Sequence, residues 1–301
     1  MYYVKLTFLF FVFFMAFGSS SSQAAGDPAA GPGTVVYKLG DVEIIAVRDQ
    51  ISKRSRDLLL GDAKRIVELM PEAETVGSVN AYVVKTKKSI TLIDTGWGAP
   101  RGQVLDNLKQ IGITPDQINT ILFTHLHGDH VSGLLREGKT VFPNAELYVP
   151  AGERAYWFND DEMNNTINKI GFTIARQGIL AYGDRVRVFE SGTEVVPGIT
   201  VINESGHTPG HVGYLVKANN KKILIWGDLT HFTEVQLAAP EIAVRFDVDP
   251  KQAIASRQAI LAWVARENMP VAGMHILYPG VGRVHAQGTN SYVFEPLDKL
   301  D

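Results

Sequence analysis

Three histidines and an aspartate fall within the segment 124–130, which reads Thr-His-Leu-His-Gly-Asp-His. His125 and His127 are two residues apart, so in an extended segment both imidazoles project to one side and can share a metal ion. Asp129 and His130 follow where the chain turns, and the turn directs their side chains toward a second metal position. Imidazoles and carboxylates buried in an ordinary core need hydrogen-bonding partners. Four such residues in one short segment would therefore lower stability unless they had a function. The spacing therefore predicts a metal site.

Two later segments contain residues of the same kind. Residues 206–211 read Gly-His-Thr-Pro-Gly-His and contain His207, and Asp228 follows the apolar run Ile223–Trp226. Taken singly, these two residues would more often be turn or capping residues. Beside the first cluster, we expect both to be ligands. The chain has no cysteine, which excludes disulfides, thiolate nucleophiles and thiolate metal sites and leaves nitrogen and oxygen ligands.

Short apolar runs alternate with segments of helical period, which is typical of the α/β class. The predicted strands are Val42–Val47, Val79–Val84, Ile90–Ile93, Ile121–Thr124, Ile199–Ile202, Tyr214–Val216 and Ile223–Trp226. The predicted helices are Ala63–Met70, Val104–Ile111, Val131–Leu135 and a helix from a cap at Asp249 through Arg266. The histidine cluster thus follows a strand end, where α/β folds place their sites.

The chain of 301 residues has 29 Lys and Arg against 32 Asp and Glu and a net charge of −3. This balance offers no basic surface, so no nucleic-acid partner is expected. No linker-like stretch divides residues 35–301, which predicts a single domain. Residues 26–34, rich in Gly, Ala and Pro, predict a flexible lead-in.

Residues 1–25 predict a secretory signal peptide. Lys5 precedes the apolar run Leu6–Phe17, and a serine stretch leads to Gln-Ala-Ala at residues 23–25. The run is short for a bilayer span and no positive charge follows it, so no stable membrane anchor is expected. An uncleaved anchor is the alternative. The interpretation favours an exported protein, periplasmic or secreted.

The motifs in order resemble those of the metallo-β-lactamase superfamily: T-H-L-H-G-D-H, S-G-H-T-P-G-H, W-G-D and G-M-H, preceded by L-I-D-T-G at residues 92–96. The resemblance implies an α/β fold in the form of a four-layer αββα sandwich with a dinuclear site at one edge. It also implies site residues: His125, His127 and His207 for the first metal ion, Asp129, His130 and His275 for the second, Asp228 as the bridge, and Asp94 as a buried aspartate supporting the ligand loop.

Within the superfamily, the chain resembles methyl parathion hydrolase and the periplasmic lactone hydrolases around it. The similar segments are F-P-N-A at 142–145, the aromatic residues 156–158, V-P-G-I at 196–199, Q-L-A-A-P at 236–240 and P-G-V-G at 279–282. This implies a hydrolase in which a metal-bridging hydroxide opens lactones or cleaves related esters, with an organophosphate triesterase as the alternative. A β-lactamase or a glyoxalase II-like thioesterase is less favoured. Alternatives of other classes are an iron oxidoreductase and a non-catalytic binding protein, against which the complete ligand set argues.

The resemblance also implies cofactors, partners and further roles. Two divalent metal ions are expected, with zinc favoured although manganese, cobalt and iron suit the same ligands. Asp129 is expected to relay a proton and His231 to donate a hydrogen bond to the substrate, while Trp157 and Phe246 are expected to form pocket walls. The partner would be a small-molecule lactone or ester. A homodimer is left open, and His211 and His285 are unassigned.

The leader generates a first prediction. Exported protein should begin at Ala25 or Gly26 and stay in the soluble fraction, because the small residues at 24 and 25 are typical of a cleavage site. N-terminal sequencing of protein from an expressing cell checks this. Protein that retains Met1 and fractionates with membranes would contradict it.

Overall fold

The computed structural model describes residues 31–300. The predicted signal peptide and residues 26–30 of the lead-in lie outside the described residues. The lead-in ends earlier than predicted, because Thr34 already pairs with Val47 in the first sheet. The carbonyl of Gly33 accepts a hydrogen bond from the Arg48 backbone N–H. Among the residues described, no helix is both long and apolar enough to span a bilayer.

The strands and helices are numbered along the described chain. The strands up to residue 189 are β1 (Thr34–Leu39), β2 (Val42–Ser55), β3 (Leu59–Leu60), β4 (Glu74–Lys85), β5 (Ile90–Ile93), β6 (Thr120–Leu122), β7 (Leu135–Arg136), β8 (Lys139–Thr140), β9 (Glu146–Pro150) and β10 (Val186–Phe189). The later strands are β11 (Glu194–Val196), β12 (Ile199–Asn203), β13 (Val212–Ala218), β14 (Lys221–Trp226), β15 (Ala243–Val244), β16 (Val271–Gly273), β17 (Val281–Ala286) and β18 (Tyr292–Pro296). The helices are α1 (Ala63–Leu69), α2 (Val104–Gln110), α3 (Gly128–Val131), α4 (Ala151–Trp157), α5 (Asp160–Asn165), α6 (Lys169–Leu180), α7 (Thr233–Ala238) and α8 (Pro250–Arg266).

Two large sheets form the centre of the fold. The first has the strand order β1-β2-β4-β5-β6-β9-β10 and the second β11-β12-β13-β14-β16-β17-β18. Their facing sides share one buried apolar cluster, to which the first sheet contributes Tyr82 and Leu122 and the second contributes Tyr214 and Ile225. Removing this apolar surface from water holds the two sheets face to face.

Helices cover the outer faces of both sheets. Leu108 of α2 and Phe172 of α6 lie in the buried cluster on the outer side of the first sheet. Leu261 and Val264 of α8 lie in the cluster outside the second sheet. The layers therefore run helix, sheet, sheet, helix, and the predicted four-layer αββα sandwich is confirmed.

The carboxyl ends of parallel strands bring the candidate residues to one edge. Strands β5 and β6 are parallel, with Ile93 opposite Leu122, so Asp94 and the 124–130 segment leave the first sheet side by side. Strands β14 and β16 are likewise parallel in the second sheet, with Trp226 opposite Gly273. Parallel strands end in the same direction, which explains how residues distant in the sequence reach one site.

Several predicted elements differ from the structure in their bounds: β4 begins at Glu74, before the predicted Val79, and β6 ends at Leu122, before the predicted Thr124. The strand predicted at Val42–Val47 extends to Ser55, because β2 pairs with β4 over its whole length around a bulge near Arg48. The helix predicted for Val131–Leu135 begins earlier, as α3, and a 3₁₀ turn follows it at Ser132–Leu134. The extended backbone of His127 precedes α3, so Asp129 and His130 lie within the helical turn.

The helix predicted from Asp249 to Arg266 is confirmed as α8. The Asp249 side chain accepts hydrogen bonds from the backbone N–H groups of Lys251 and Gln252. A buried arginine connects this helix to its surroundings. Arg257 is 1% exposed and donates to the carbonyls of Leu229, at 2.7 Å, and of Pro240 and Ile242, at 2.8 and 2.9 Å.

Arg257→Met should lower the free energy of unfolding by about 3 kcal/mol, because three buried carbonyls lose a charged donor. Urea denaturation of the wild type and the variant gives the difference. The matched control is Arg266→Met, since Arg266 lies on the same helix with its side chain 68% exposed, and a change below about 0.5 kcal/mol is expected there. Equal effects of the two substitutions would contradict the role given to Arg257.

Candidate metal centre

The first group of donor atoms combines three imidazoles and a carboxylate. Nitrogen atoms of His125, His127 and His207 and an oxygen of Asp228 all lie within 4.8 Å of one another. The His127 Nδ1 atom is 3.0 Å from His125 Nε2 and 2.9 Å from His207 Nε2. Tetrahedral ligands at about 2.0–2.1 Å from a zinc ion are roughly 3.3 Å apart. The spacing of this group therefore fits a single ion.

The second group consists of Asp129, His130 and His275, whose donor atoms also lie within 4.8 Å of one another. The Asp228 carboxylate lies between the two groups. Its Oδ2 is 3.1 Å from the Nε2 atoms of both His207 and His275, whereas its Oδ1 is 3.1 Å from His130 Nε2. One carboxylate thus presents oxygens to both groups, as a ligand shared by two ions would.

Unpartnered buried atoms support a cation between these groups. His130 Nε2 and Asp228 Oδ1 are buried and lie 3.1 Å apart without the geometry of a hydrogen bond, and such atoms are costly unless something binds them. Burial would raise the pKa of Asp228, but the surrounding imidazoles, His275 foremost, hold it well below its usual value. Burial lowers the pKa of His207, yet its hydrogen bonds to Asp228 and Asp247 outweigh this and raise it to about 9. The donor set fits divalent metal ions, whose binding would replace these protons.

A hydrogen bond on the far nitrogen orients each of three imidazoles. His130 Nδ1 is 2.7 Å from Asp94 Oδ2, which also accepts the Thr124 hydroxyl at 2.7 Å. His207 Nδ1 is 2.8 Å from an oxygen of Asp247. Acceptors of this kind fix the tautomer and ring orientation of metal-binding histidines. The structure therefore places Asp94 against the ligand loop, where the sequence resemblance had put it.

The third of these rings, His275, rests on a carbonyl and an arginine. Its Nδ1 is 2.9 Å from the Ser78 carbonyl oxygen and 2.8 Å from Arg54 Nη2. Arg54 Nη2 donates to the same Ser78 carbonyl, at 2.5 Å, and Arg54 Nη1 donates to the His231 carbonyl at 2.7 Å. The guanidinium thus connects β2 with two segments of the site. Nothing in the spacing of β2 marks Arg54 as a site residue, and sequence analysis missed both Arg54 and Asp247.

His211 has a structural position beside the site. Its Nδ1 is 2.8 Å from the Glu204 carbonyl, and its Nε2 accepts the backbone N–H of Asp228 at 2.8 Å. It therefore fixes the backbone of Asp228 and does not line the cavity. His285 lies elsewhere, partly exposed and 2.6 Å from Glu295.

A cavity of about 410 Å³ opens above the two donor groups. Its floor is polar and its walls are largely apolar. The floor contains His127, Asp129, Asp228, His231 and His275, and the apolar walls contain Leu58, Trp97, Ile170, Ile174 and Phe246. A polar floor within apolar walls is typical of a small-molecule site.

Two of the three residues predicted for the pocket line this cavity. Phe246 is 39% exposed, and His231 lies with its Nε2 2.9 Å from Asp228 Oδ2. With Asp228 and His275, His231 forms a third set of donor atoms within 4.8 Å. Trp157 is not a pocket wall. It is 1% exposed in the core, where its Nε1 donates to Glu153 at 2.7 Å and its ring packs edge-on against His127.

Solved structures share this arrangement of layers. The crystal structure of the hydrolase AbOPH, of the beta lactamase superfamily, is 33% identical in sequence and has a TM-score of 0.84, covering 89% of this chain and 98% of that chain. AidC, a dizinc quorum-quenching lactonase in complex with a product N-hexanoyl-L-homoserine, is 23% identical with a TM-score of 0.80, covering 88% of this chain and 97% of its own. At that identity, the likeness to AidC shows the fold alone.

Curated relatives match a shorter part. YobT of Bacillus subtilis, an uncharacterized protein, is 28% identical over 151 residues, which is 50% of this chain and 61% of YobT. The N-acyl homoserine lactonase AiiB of Agrobacterium fabrum is 26% identical over 176 residues, 49% of this chain and 63% of AiiB. The chain thus spans about three fifths of the length of these relatives.

Residues 75–278, more than half of the chain, match the family model described as Metallo-beta-lactamase superfamily. With its αββα layers and its shared-carboxylate donor groups, the chain belongs to the metallo-β-lactamase superfamily.

Proposed function

We propose that this protein is a dinuclear-metal hydrolase that opens lactones or cleaves related esters of small molecules. The observation that carries the proposal is the sharing of Asp228 by two groups of donor atoms at the floor of a cavity with apolar walls. The set lacks thiolates and combines imidazoles with carboxylates, which suits zinc. Two divalent ions held there would supply an activated water at neutral pH and stabilise negative charge on an oxygen.

Residues of the chain would move the proton. Asp129 is on the cavity floor with its side chain 20% exposed, so its carboxylate can reach both a bound substrate and water. The attacking water gives a proton to Asp129 as its oxygen bonds to the carbonyl carbon. The ring C–O bond then breaks, and the leaving alkoxide takes the proton from Asp129, which balances the step. Asp129 is thus proposed as the proton relay.

His231 and Phe246 would orient the substrate. The His231 imidazole lines the cavity with its Nε2 2.9 Å from Asp228 Oδ2, and this Nε2–H would donate to a carbonyl or leaving oxygen once metal ions take up that carboxylate. The Phe246 ring centroid is 5.0 Å from that of His231, so a flat apolar surface adjoins the donor. This arrangement suits a polar ester group attached to an aromatic or acyl portion. The N-acyl homoserine lactonases among the relatives support a lactone as the substrate.

We extend the proposal to location. The leader described from the sequence supports action outside the cytoplasm, in a periplasm or medium where small lactones and esters diffuse freely. An activity assay on fractionated cells would place the enzyme, and activity confined to the cytoplasm would oppose this part of the proposal.

Asp228→Asn should remove metal and lower turnover at least 100-fold, because the substitution keeps the shape but removes a charge shared by both ions. Elemental analysis of dialysed protein, together with kcat on an aryl lactone, measures both effects. Asp116→Asn is the control, since Asp116 is exposed and does not line the cavity. Wild-type protein that is active with one ion or none per chain would contradict the dinuclear assignment.

His231→Leu should shift selectivity toward a phosphotriester by roughly tenfold, about 1.4 kcal/mol of differential transition-state binding, because an aliphatic group replaces a hydrogen-bond donor. The measurement compares kcat/KM for an aryl lactone, acyl homoserine lactones, a dialkyl aryl phosphate and a chromogenic β-lactam. The wild type should prefer lactones or aryl esters. His285→Leu, at a partly exposed histidine paired with Glu295, is the control. A wild type faster on the phosphate would favour the triesterase alternative, and an unchanged ratio in His231→Leu would reject the role given to His231.

A further inference from the structure

Glu153 is a fully buried carboxylate that lies behind the metal centre. It is 0% exposed and belongs to α4. Its Oε2 accepts the backbone N–H of Leu126 at 2.9 Å and the Trp157 indole N–H at 2.7 Å, and its Oε1 accepts the backbone N–H of Gly210 at 2.9 Å. Burial raises the pKa of Glu153, whereas the Thr208 side chain and these three hydrogen bonds lower it. The three N–H groups can be satisfied only by an acceptor.

The two backbone donors belong to the two loops that hold the first donor group. Leu126 lies between His125 and His127, and Gly210 lies three residues after His207. The His127 and His207 nitrogens that face each other, 2.9 Å apart, therefore come from loops joined through one carboxylate. The loops are 80 residues apart in the sequence, so their spacing must be set by contacts of this kind.

Glycines allow this close approach. A Cβ at Gly210 would overlap the backbone nitrogen of Glu153, and a Cβ at Gly152 would lie 2.7 Å from the Cα of Gly210. The start of α4 thus packs directly on the backbone of the 207–211 loop. Side chains at either position would push Glu153 away from its partners.

Trp157 completes the arrangement. Its indole N–H donates to Glu153 Oε2, the oxygen that also accepts the backbone N–H of Leu126. Its ring centroid is 5.4 Å from that of His127. The aromatic segment therefore serves the site from inside the core. These contacts explain why Trp157 is buried, which a position in the pocket wall would not.

We propose that Glu153 is a positioning residue that sets the distance between the two loops of the first donor group and so controls the affinity of that group for its ion. The inference rests on the proposed dinuclear function. Glu153 makes no hydrogen bond to the second group, in which His130 is held by Asp94 and His275 by the Ser78 carbonyl. Asp129 and His130 follow Leu126 in the next helical turn, so the effect should be much larger for the first ion than for the second.

Glu153→Gln is the direct test. The amide keeps the size of the side chain but replaces one acceptor oxygen with an N–H₂ donor, which faces an N–H group and cannot bond to it. Zn²⁺ affinity for one site should fall by ten- to 100-fold, in the range found when groups supporting metal ligands are removed. Chelator competition gives the two affinities, and the absorption of Co²⁺-substituted protein shows whether the geometry of one ion alone has changed.

Asp49→Asn is the matched control. Asp49 is equally buried and accepts three backbone N–H groups, from Trp97, Gln103 and Val104, at 2.8, 2.9 and 3.2 Å. It therefore supports a loop as Glu153 does, but a loop without a candidate ligand. Both variants should lower Tm, whereas only Glu153→Gln should weaken a metal site. Trp157→Phe removes a single donor and should weaken the same ion by about threefold, which keeps the test available if Glu153→Gln does not fold.

The outcomes separate the two proposals. Wild-type protein that does not bind two Zn²⁺ ions would overturn the proposed function itself. Suppose that the wild type binds two ions. The positioning role would then be overturned if Glu153→Gln and Trp157→Phe weakened the two Zn²⁺ sites equally, or if they left both affinities unchanged. Selective loss of one ion, with both affinities retained in Asp49→Asn, is the result expected.

Discussion

The Asp228 carboxylate is the point on which the side chains of the site converge. Its two oxygens lie 2.9–3.5 Å from ring nitrogens of five histidines, at a side-chain exposure of 3%. A carboxylate offers about four acceptor positions, so it cannot pair with five imidazolium rings, and such rings would also repel one another. Divalent ions remove the conflict because each takes lone pairs from several neutral rings at once. The surrounding structure must therefore hold each ring in place against its neighbours.

Different elements of the fold provide that support. His130 is held by Asp94 at the end of β5, His207 by Asp247 before α8, and His275 by the Ser78 carbonyl of β4. Asp94 adopts a φ of 58°, a left-handed backbone that costs energy for a residue with a side chain. Its carboxylate accepts both the N–H and the hydroxyl of Thr124, which compensates that cost. The strained residue is thus fixed by the loop it supports.

The parts of the site that the sequence predicted are those whose interacting residues lie close together in the chain or at the ends of neighbouring strands. The spacing of His125 and His127 is local, and the ends of parallel strands bring distant motifs to one edge, so the donor groups and the αββα layers followed from pattern and resemblance. Arg54 was not predictable in this way, because its contacts with His231 and His275 span 177 and 221 residues. Trp157 was misplaced for a related reason, since an aromatic residue in a helix gives no sign of which side faces the cavity.

The same difference distinguishes the residues that determine the reaction from those that determine substrate specificity. The donor atoms come from short motifs, whose geometry the ends of the strands determine. The cavity walls come from segments such as α6 and the turn holding Phe246, which are set by packing between elements. A change in these segments alters the shape of the cavity while the donor atoms keep their positions. Substrate choice should therefore vary more readily than the hydrolytic reaction, because apolar walls discriminate by only a few kcal/mol, whereas loss of a shared buried charge removes the metal centre itself.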